Sequence, residues 1–140
     1  MKKRVLLWMS GWIDSTVAAY ILKEQWYEVV WVFMKYWVDP EMSQWIEKED
    51  KITENKCCSI ESQMAAKKTC DKLWIEFHLL NMRDTFHEDV VKYFLDMHKK
   101  WLTPNPCIQC NKKIKWWDIF WKMEKFNCDF IATGHYAKIK

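Results

Sequence analysis

Residues 5–15, V-L-L-W-M-S-G-W-I-D-S, restrict what this chain can become more than any other stretch. Val5, Leu6, Leu7, Trp8 and Met9 form an apolar run too short for a helix and long enough for one buried strand. Ser10 and Gly11 break the run. Asp14, Ser15 and Thr16 then supply N-cap chemistry for a helix whose apolar side is Val17, Ala18, Ile21 and Leu22. A strand, a tight polar turn and a helix N-terminus aim unpaired N–H groups and a positive dipole end at one point, which favours a phosphate-bearing ligand. The hydroxyls of Ser10 and Ser15 add donors, and the physical reason for an acid such as Asp14 there is a Mg²⁺ ion between it and the phosphates. An ordinary βα turn capped by Asp14 is the alternative reading of the same residues.

At 140 residues the chain is one domain long, with enough length for a real core. A net charge of +3 is too mild to indicate a nucleic-acid binder by itself. Met1-Lys-Lys-Arg before five apolar residues imitates a leader, but the apolar part is too short, and no segment approaches a membrane span. Six cysteines without an export signal point to a reducing cytoplasm, where close cysteine pairs serve metal binding or catalysis more often than structure.

The composition holds one anomaly, 11 Trp against 2 Gly. Together these two residues fill about 9% of the chain, close to the usual share of glycine alone. Trp12, Trp26 and Trp74 also stand where turn chemistry wants glycine. The expectation is that UGA, a glycine codon in some bacterial lineages, is written here as tryptophan. It covers Trp8, Trp12, Trp26, Trp31, Trp74, Trp101 and Trp117, extends less firmly to Trp45 and Trp121, and leaves Trp37 and Trp116 as tryptophans.

Downstream, residues 27–36 read as a buried parallel strand, with Met34 near the end where doubly wound sheets bind ligands. Met34 fits either a nucleotide contact or the core. Residues 38–56 read as an excursion loop or a short irregular helix, Cys57 and Cys58 as packing or incidental thiols, and Ser59 as the cap of a helix over 60–73. A third strand covers 75–80. A helix over 84–99 has Phe86, Val90, Phe94 and Met97 on its buried stripe and His87 and His98 off it, while His78 sits in its strand without a partner motif. A fourth strand covers 128–133, followed by Gly134, which close approach of backbone to a nucleotide would need.

Residues 101–111, W-L-T-P-N-P-C-I-Q-C-N, form the second informative stretch. Its prolines make a stiff loop that delivers Cys107 and Cys110 just before a helix over 111–125. A helix N-terminus and Lys112 and Lys113 nearby both favour thiolate. The pair also fits half of a zinc site completed by Cys128 or His135, or a redox couple. Lys112, Lys113, Lys115, Lys122 and Lys125 form either a solvated face or a contact for RNA phosphates.

S-G-W-I-D-S-T resembles the pyrophosphate-binding loop of the ATP pyrophosphatases, S-G-G-x-D-S, with Trp12 in place of the second glycine. Joined by V-F-M-K, C-C-S, T-P-N-P-C-I-Q-C-N-K-K-I-K and D-F-I-A-T-G-H-Y-A, in order over almost the whole chain, it is similar to the tRNA-specific 2-thiouridylase family. That resemblance implies an α/β fold, a Rossmann-like doubly wound parallel sheet of the adenine nucleotide alpha hydrolase type, forming one nucleotide-binding catalytic domain over 1–140. It implies ATP and Mg²⁺, and 2-thiolation of the wobble uridine of tRNA through adenylation of the C2 oxygen and sulfur transfer from a cysteine persulfide.

Carried over by resemblance, Trp8, Met9, Ser10, Gly11, Trp12, Ile13, Asp14 and Ser15 bind ATP, with Mg²⁺ at Asp14, and Met34 and Gly134 contact the nucleotide. Asn105, Pro106 and Cys107 meet the target base, and Cys110 is the nucleophile. The implied partners are tRNA and a sulfur-donating relay protein or cysteine desulfurase, in the cytoplasm and away from membranes. The family's second cysteine has no counterpart before Lys140, so the expectation is an N-terminal fragment lacking the later RNA-binding domains and inactive alone. Trp12 should impair ATP binding, either by clashing with the ligand or by forcing an unfavourable φ. Remaining alternatives are a different ATP pyrophosphatase such as another tRNA thiolase, a variant with an iron–sulfur centre at Cys107 and Cys110, and a non-catalytic zinc-stabilised RNA-binding module.

Overall fold

A computed structural model describes residues 2–9, 12–36 and 60–136. The readings that fall on Ser10, Gly11, Trp37, Trp45, Cys57, Cys58, Ser59 and the 38–56 loop lie outside the described residues. Four strands, β1 (Arg4–Met9), β2 (Glu28–Lys35), β3 (Glu76–Asn81) and β4 (Phe130–Thr133), form one parallel sheet in the order β3-β2-β1-β4. In β2 the whole run 29–34 is buried, as a central parallel strand covered on both faces must be.

Alternation along the strands sorts the core into two layers. Leu7, Val29, Trp31 and Phe33 pack with Ala19 of α1 (Ile13–Glu24) and Ala66 and Cys70 of α2 (Ile60–Leu73). Leu6, Trp8, Val30, Val32 and Met34 face the other way, toward α3 and α4. Helix α3, residues 83–99, is built from Arg83–Phe86, a π-helical turn His87–Val91, and Lys92–Lys99. Helix α4, residues 106–125, joins Pro106–Cys110, a π-helical turn Asn111–Trp116, and Trp117–Lys125. Right-handed crossovers explain the division: β1 to β2 to β3 steps one way and puts α1 and α2 on one face, and the return to β4 beyond β1 puts α3 and α4 on the other. The sheet is doubly wound, as the sequence predicts.

Three local expectations are corrected. Asp14 does not cap α1; it lies inside the first turn, the N-cap is Trp12, and no side chain caps it among the described residues. The buried side of α1 is Ser15, Ala18, Ala19 and Leu22, while Val17 and Ile21 are about half exposed. Small residues at that helical spacing let the helix lie close to the sheet, and this outweighs the greater apolarity of Val17 and Ile21. Helix α4 also begins five residues earlier than predicted. Asn105 Oδ1 accepts from the Ile108 N–H at 3.1 Å and Pro106 follows the cap, so the proline starts the helix instead of stiffening a loop.

The helix C-termini carry a shared strain. Trp26, Trp74 and Trp101 have φ of 66°, 53° and 58°, and Asn127 has φ of 51°. In each case the next residue's N–H closes the helix with a bond reaching five residues back: Tyr27 N–H to Leu22 O at 3.1 Å, Ile75 to Cys70 at 2.9 Å, Leu102 to Met97 at 3.0 Å, and Cys128 to Met123 at 3.0 Å. Glycine or asparagine suits that left-handed position, where another L-residue costs about 1–2 kcal/mol. The three indoles are 75%, 90% and 97% exposed, so almost no packing offsets the cost.

The other tryptophans differ. Trp8 and Trp31 lie in strands and Trp117 in a helix, where the backbone does not require glycine. Trp31 is fully buried, with its indole N–H unpaired among the described residues. Trp12 has an ordinary φ of −91°, so the unfavourable φ expected at this position does not arise.

At the sheet's opposite end from the first turn of α1, Arg4 pairs with Glu28 at 3.1 Å and Glu76 at 3.0 Å, and its N–H donates to Asp129 at 2.8 Å. His78 meets Glu76 at 2.6 Å and stacks on Phe126, so it has a structural partner.

Candidate nucleotide site

The strand order reverses between β1 and β4, and in open α/β sheets ligands bind beyond the carboxyl ends of strands at such a switch point. A cleft of about 340 Å³ lies there. Trp8 enters from the end of β1, Asp14 and Ser15 from the first turn of α1, Lys115 from the π-helical turn of α4, and residues 133–136 from the end of β4 and the segment after it.

The local chemistry sets each side chain. Ser15 donates to the Trp12 carbonyl at 2.7 Å and is buried under the turn. The Lys115 ammonium lies 4.9 Å from the centre of the Trp8 ring, within cation–π reach. The His135 ring lies 6.0 Å from the Trp8 ring and 6.2 Å from the Trp116 ring between centroids, with Nδ1 2.8 Å from Thr133 Oγ1. The Tyr136 hydroxyl donates to Asp14 Oδ1 at 2.7 Å, and this bond to a carboxylate pushes the phenol above its usual range. Gly134 packs directly on α1: a Cβ there would lie 2.9 Å from Ser15 N and 3.1 Å from Asp14 C. Its lack of a side chain therefore serves the contact between the β4 end and the helix N-terminus.

Of the residues expected to bind ATP, the cleft gathers Trp8, Asp14, Ser15 and Gly134. Ser10, Gly11 and the Met9 side chain lie outside what the structure describes. Ile13 is 78% exposed and Trp12 half exposed, and neither lines the cleft. Met34 is a core residue, fully buried, with its sulfur accepting from the Tyr36 hydroxyl at 3.2 Å.

Asn105 and Pro106 are engaged in starting α4, and Cys107 on its first turn is exposed. Cys110 is buried with Leu6, Val30 and Ile114 on the sheet face opposite α1 and does not line the cleft. Lys115, Thr133, His135 and Tyr136 line the cleft from outside the expected nucleotide set, although T-G-H-Y and N-K-K-I-K both belong to the motifs that carry the family resemblance.

Among the described residues no three His, Cys, Asp or Glu side chains gather to hold a metal, so neither the zinc set nor an iron–sulfur set is assembled there. Cys128 precedes β4 and His135 follows it, which separates them by the length of that strand. Burial and nearby Asp71 push the Cys70 thiol up to about 12. Alkylation at pH 8 is therefore expected to label Cys107 at least about tenfold faster than Cys70 or Cys110, read by peptide mass spectrometry. Equal rates would contradict the burial of Cys110.

Described as geometry, the cleft offers a helix N-terminus, an ammonium and an imidazole to an anion, and one carboxylate to a cation beside it. Residues 3–140 match the family model described as tRNA methyl transferase HUP domain. The chain is 44% identical to a protein named tRNA-specific 2-thiouridylase MnmA from Clostridioides difficile, over all of this chain and 37% of that protein. It is 46% identical to a protein of the same name from Clostridium botulinum, over 99% of this chain and 36% of that one. The chain thus spans little more than a third of the length of these curated relatives.

Among solved structures, glutamine-dependent NAD⁺ synthetase from Acinetobacter baumannii in complex with ADP superposes with a TM-score of 0.62 at 15% identity, covering 92% of this chain and 21% of that one. A predicted subunit of tRNA methyltransferase from Methanocaldococcus jannaschii gives a TM-score of 0.56 at 18% identity, over 99% and 55%. These two likenesses concern the fold. The match over residues 3–140, with the parallel sheet and the cleft at its switch point, means that this chain belongs to the tRNA methyl transferase HUP domain family.

Proposed function

We propose that this domain binds ATP in the cleft between β1 and β4 and serves the 2-thiolation of the wobble uridine of tRNA. The observation that carries the nucleotide half is the joining of the first turn of α1, Lys115 and His135 at the switch point of the sheet. The tRNA half is supported by the names of the relatives, of whose length this chain spans little more than a third. On this reading the N–H groups opening α1, the Lys115 ammonium and the His135 ring hold the phosphates, and the C2 oxygen of the uridine attacks the α-phosphorus as pyrophosphate leaves. The outer sulfur of a cysteine persulfide, loaded by a relay protein or cysteine desulfurase, then attacks C2 and displaces AMP; a thiol cleaves the resulting S–S bond, which releases the 2-thiouridine and leaves a disulfide that a thiol reductant reopens.

Asp14 suits Mg²⁺, which is commonly held by one or two carboxylates together with substrate phosphates; when bound it would neutralise phosphate charge. An iron–sulfur centre does not fit the described cysteines, and no step is assigned to one.

Cys110 retains the nucleophile's role on the strength of the family resemblance. Its burial requires that the first turns of α4 yield when the RNA arrives, with Asn105, Pro106 and the exposed Cys107 at the face that meets the base. A cytoplasmic setting goes with this reading. Among the described residues no helix is long and apolar enough to cross a membrane.

Isothermal titration with ATP and Mg²⁺ tests the nucleotide half. Asp14→Asn is expected to weaken binding about tenfold, the scale of a lost charge-assisted contact. Trp12→Gly is expected to strengthen binding by a similar factor, because the indole stands half exposed at the turn the phosphates approach. Absence of binding to both the chain and its Trp12→Gly form would end the proposal. Equal affinities of those two would refute the role given to Trp12.

A further inference from the structure

Two contacts join the segment after β4 to the first turn of α1, although more than a hundred residues of sequence separate them. Gly134 lies against the Ser15 and Asp14 backbone, and the Tyr136 hydroxyl donates to Asp14 Oδ1 at 2.7 Å. The segment between them is held as well. Thr133 Oγ1 accepts from the His135 N–H at 3.3 Å and lies 2.8 Å from His135 Nδ1. Tyr136 is 88% exposed, so its ring adds little packing and its hydroxyl is its main bond to the fold.

We infer that Tyr136 is a positioning residue of the nucleotide cleft: its phenol fixes the Asp14 carboxylate in the orientation from which that carboxylate engages the cation accompanying a nucleotide polyphosphate. The inference rests on the nucleotide reading above. An aspartate at a helix start samples several rotamers, and a donor anchored on a separate, braced segment selects one before the ligand arrives. The phenol occupies one carboxylate oxygen as donor and leaves the other for a cation.

The test is titration of ATP into the chain and into Tyr136→Phe, each with Mg²⁺ and with EDTA, repeated in the Trp12→Gly background. With Mg²⁺, Tyr136→Phe is expected to lose on the order of fivefold in affinity. With EDTA the two should agree within error, since a merely structural change would weaken both alike. The unfolding midpoint of Tyr136→Phe should match the parent, because the lost hydroxyl lies at the surface.

Equal affinities under both conditions overturn the inference and leave the nucleotide reading standing. Tighter binding by Tyr136→Phe also overturns it, because the phenol would then be competing with the cation for Asp14. A parent and a Trp12→Gly form that both fail to bind ATP remove the nucleotide reading, and the inference with it.

Discussion

A chain carrying Trp26→Gly, Trp74→Gly and Trp101→Gly together is expected to unfold about 10 °C above the present one. All three residues close helices in the left-handed region, with φ between 53° and 66°. Removing the side chain there relieves about 1–2 kcal/mol per site, while glycine's extra freedom in the unfolded chain returns part of that gain. A net of about 1 kcal/mol per site remains, and sites on different helices add nearly independently. Trp26 should give the least of the three, because Lys2 stacks on its ring at 5.2 Å and that attraction is lost.

Asn127 supplies the internal control. It has the same geometry, at φ 51°, but a residue that tolerates it, so Asn127→Gly should move the midpoint by only a degree or two. Thermal unfolding of the single and triple variants decides the matter, and a triple variant no more stable than its parent would defeat the conformational argument. The coding DNA addresses the origin separately. UGG codons at Trp12, Trp26 and Trp74 would end the idea of reassigned glycines and leave the strain where it is.

Gly134→Val is expected to cost about 3 kcal/mol of stability and to abolish measurable nucleotide binding. The first Cβ atom would stand 2.9 Å from the Ser15 nitrogen and 3.1 Å from the Asp14 carbonyl carbon. Both are backbone atoms in the first turn of a helix, so no side chain can rotate away to make room. Either β4 or α1 must shift, and the cleft takes a wall from each. Denaturant midpoints with and without ATP would check both effects; a variant as stable as the parent would mean that the segment after β4 yields at no cost.

Much of this fold was legible because parallel strands announce themselves as short apolar runs. The four predicted strands coincide with the observed ones to within two residues at each end. Alternation in β2 cannot be read from E-V-V-W-V-F-M-K, since both faces are covered, and the sequence therefore could not say which helix each residue would meet. The start of α4 was misread for a definable reason. Asn105-Pro106 carries both the cap and the proline of a helix start, but a second proline two residues earlier made the stretch look like a loop.

The site was legible where one local turn supplied it, at Asp14 and Ser15. It was not legible where the fold supplied it. Lys115 looked like one of five lysines on a helix, and only the packing of α4 against β1 sets its ammonium over Trp8. Cys107 and Cys110, three residues apart, share one side of the helix begun at Pro106, but only Cys110 lies far enough along it to reach the sheet, so Cys110 is buried and Cys107 exposed.

The doubly wound arrangement has one more consequence. The sheet keeps its two helical layers apart along most of its length, and the cleft draws one wall from each: Asp14 and Ser15 from the α1 side, Lys115 from the α4 side. A polyanion lodged between them works like a rivet through both plates, so the free energy of occupancy is spread over the whole sandwich and not kept by a single loop.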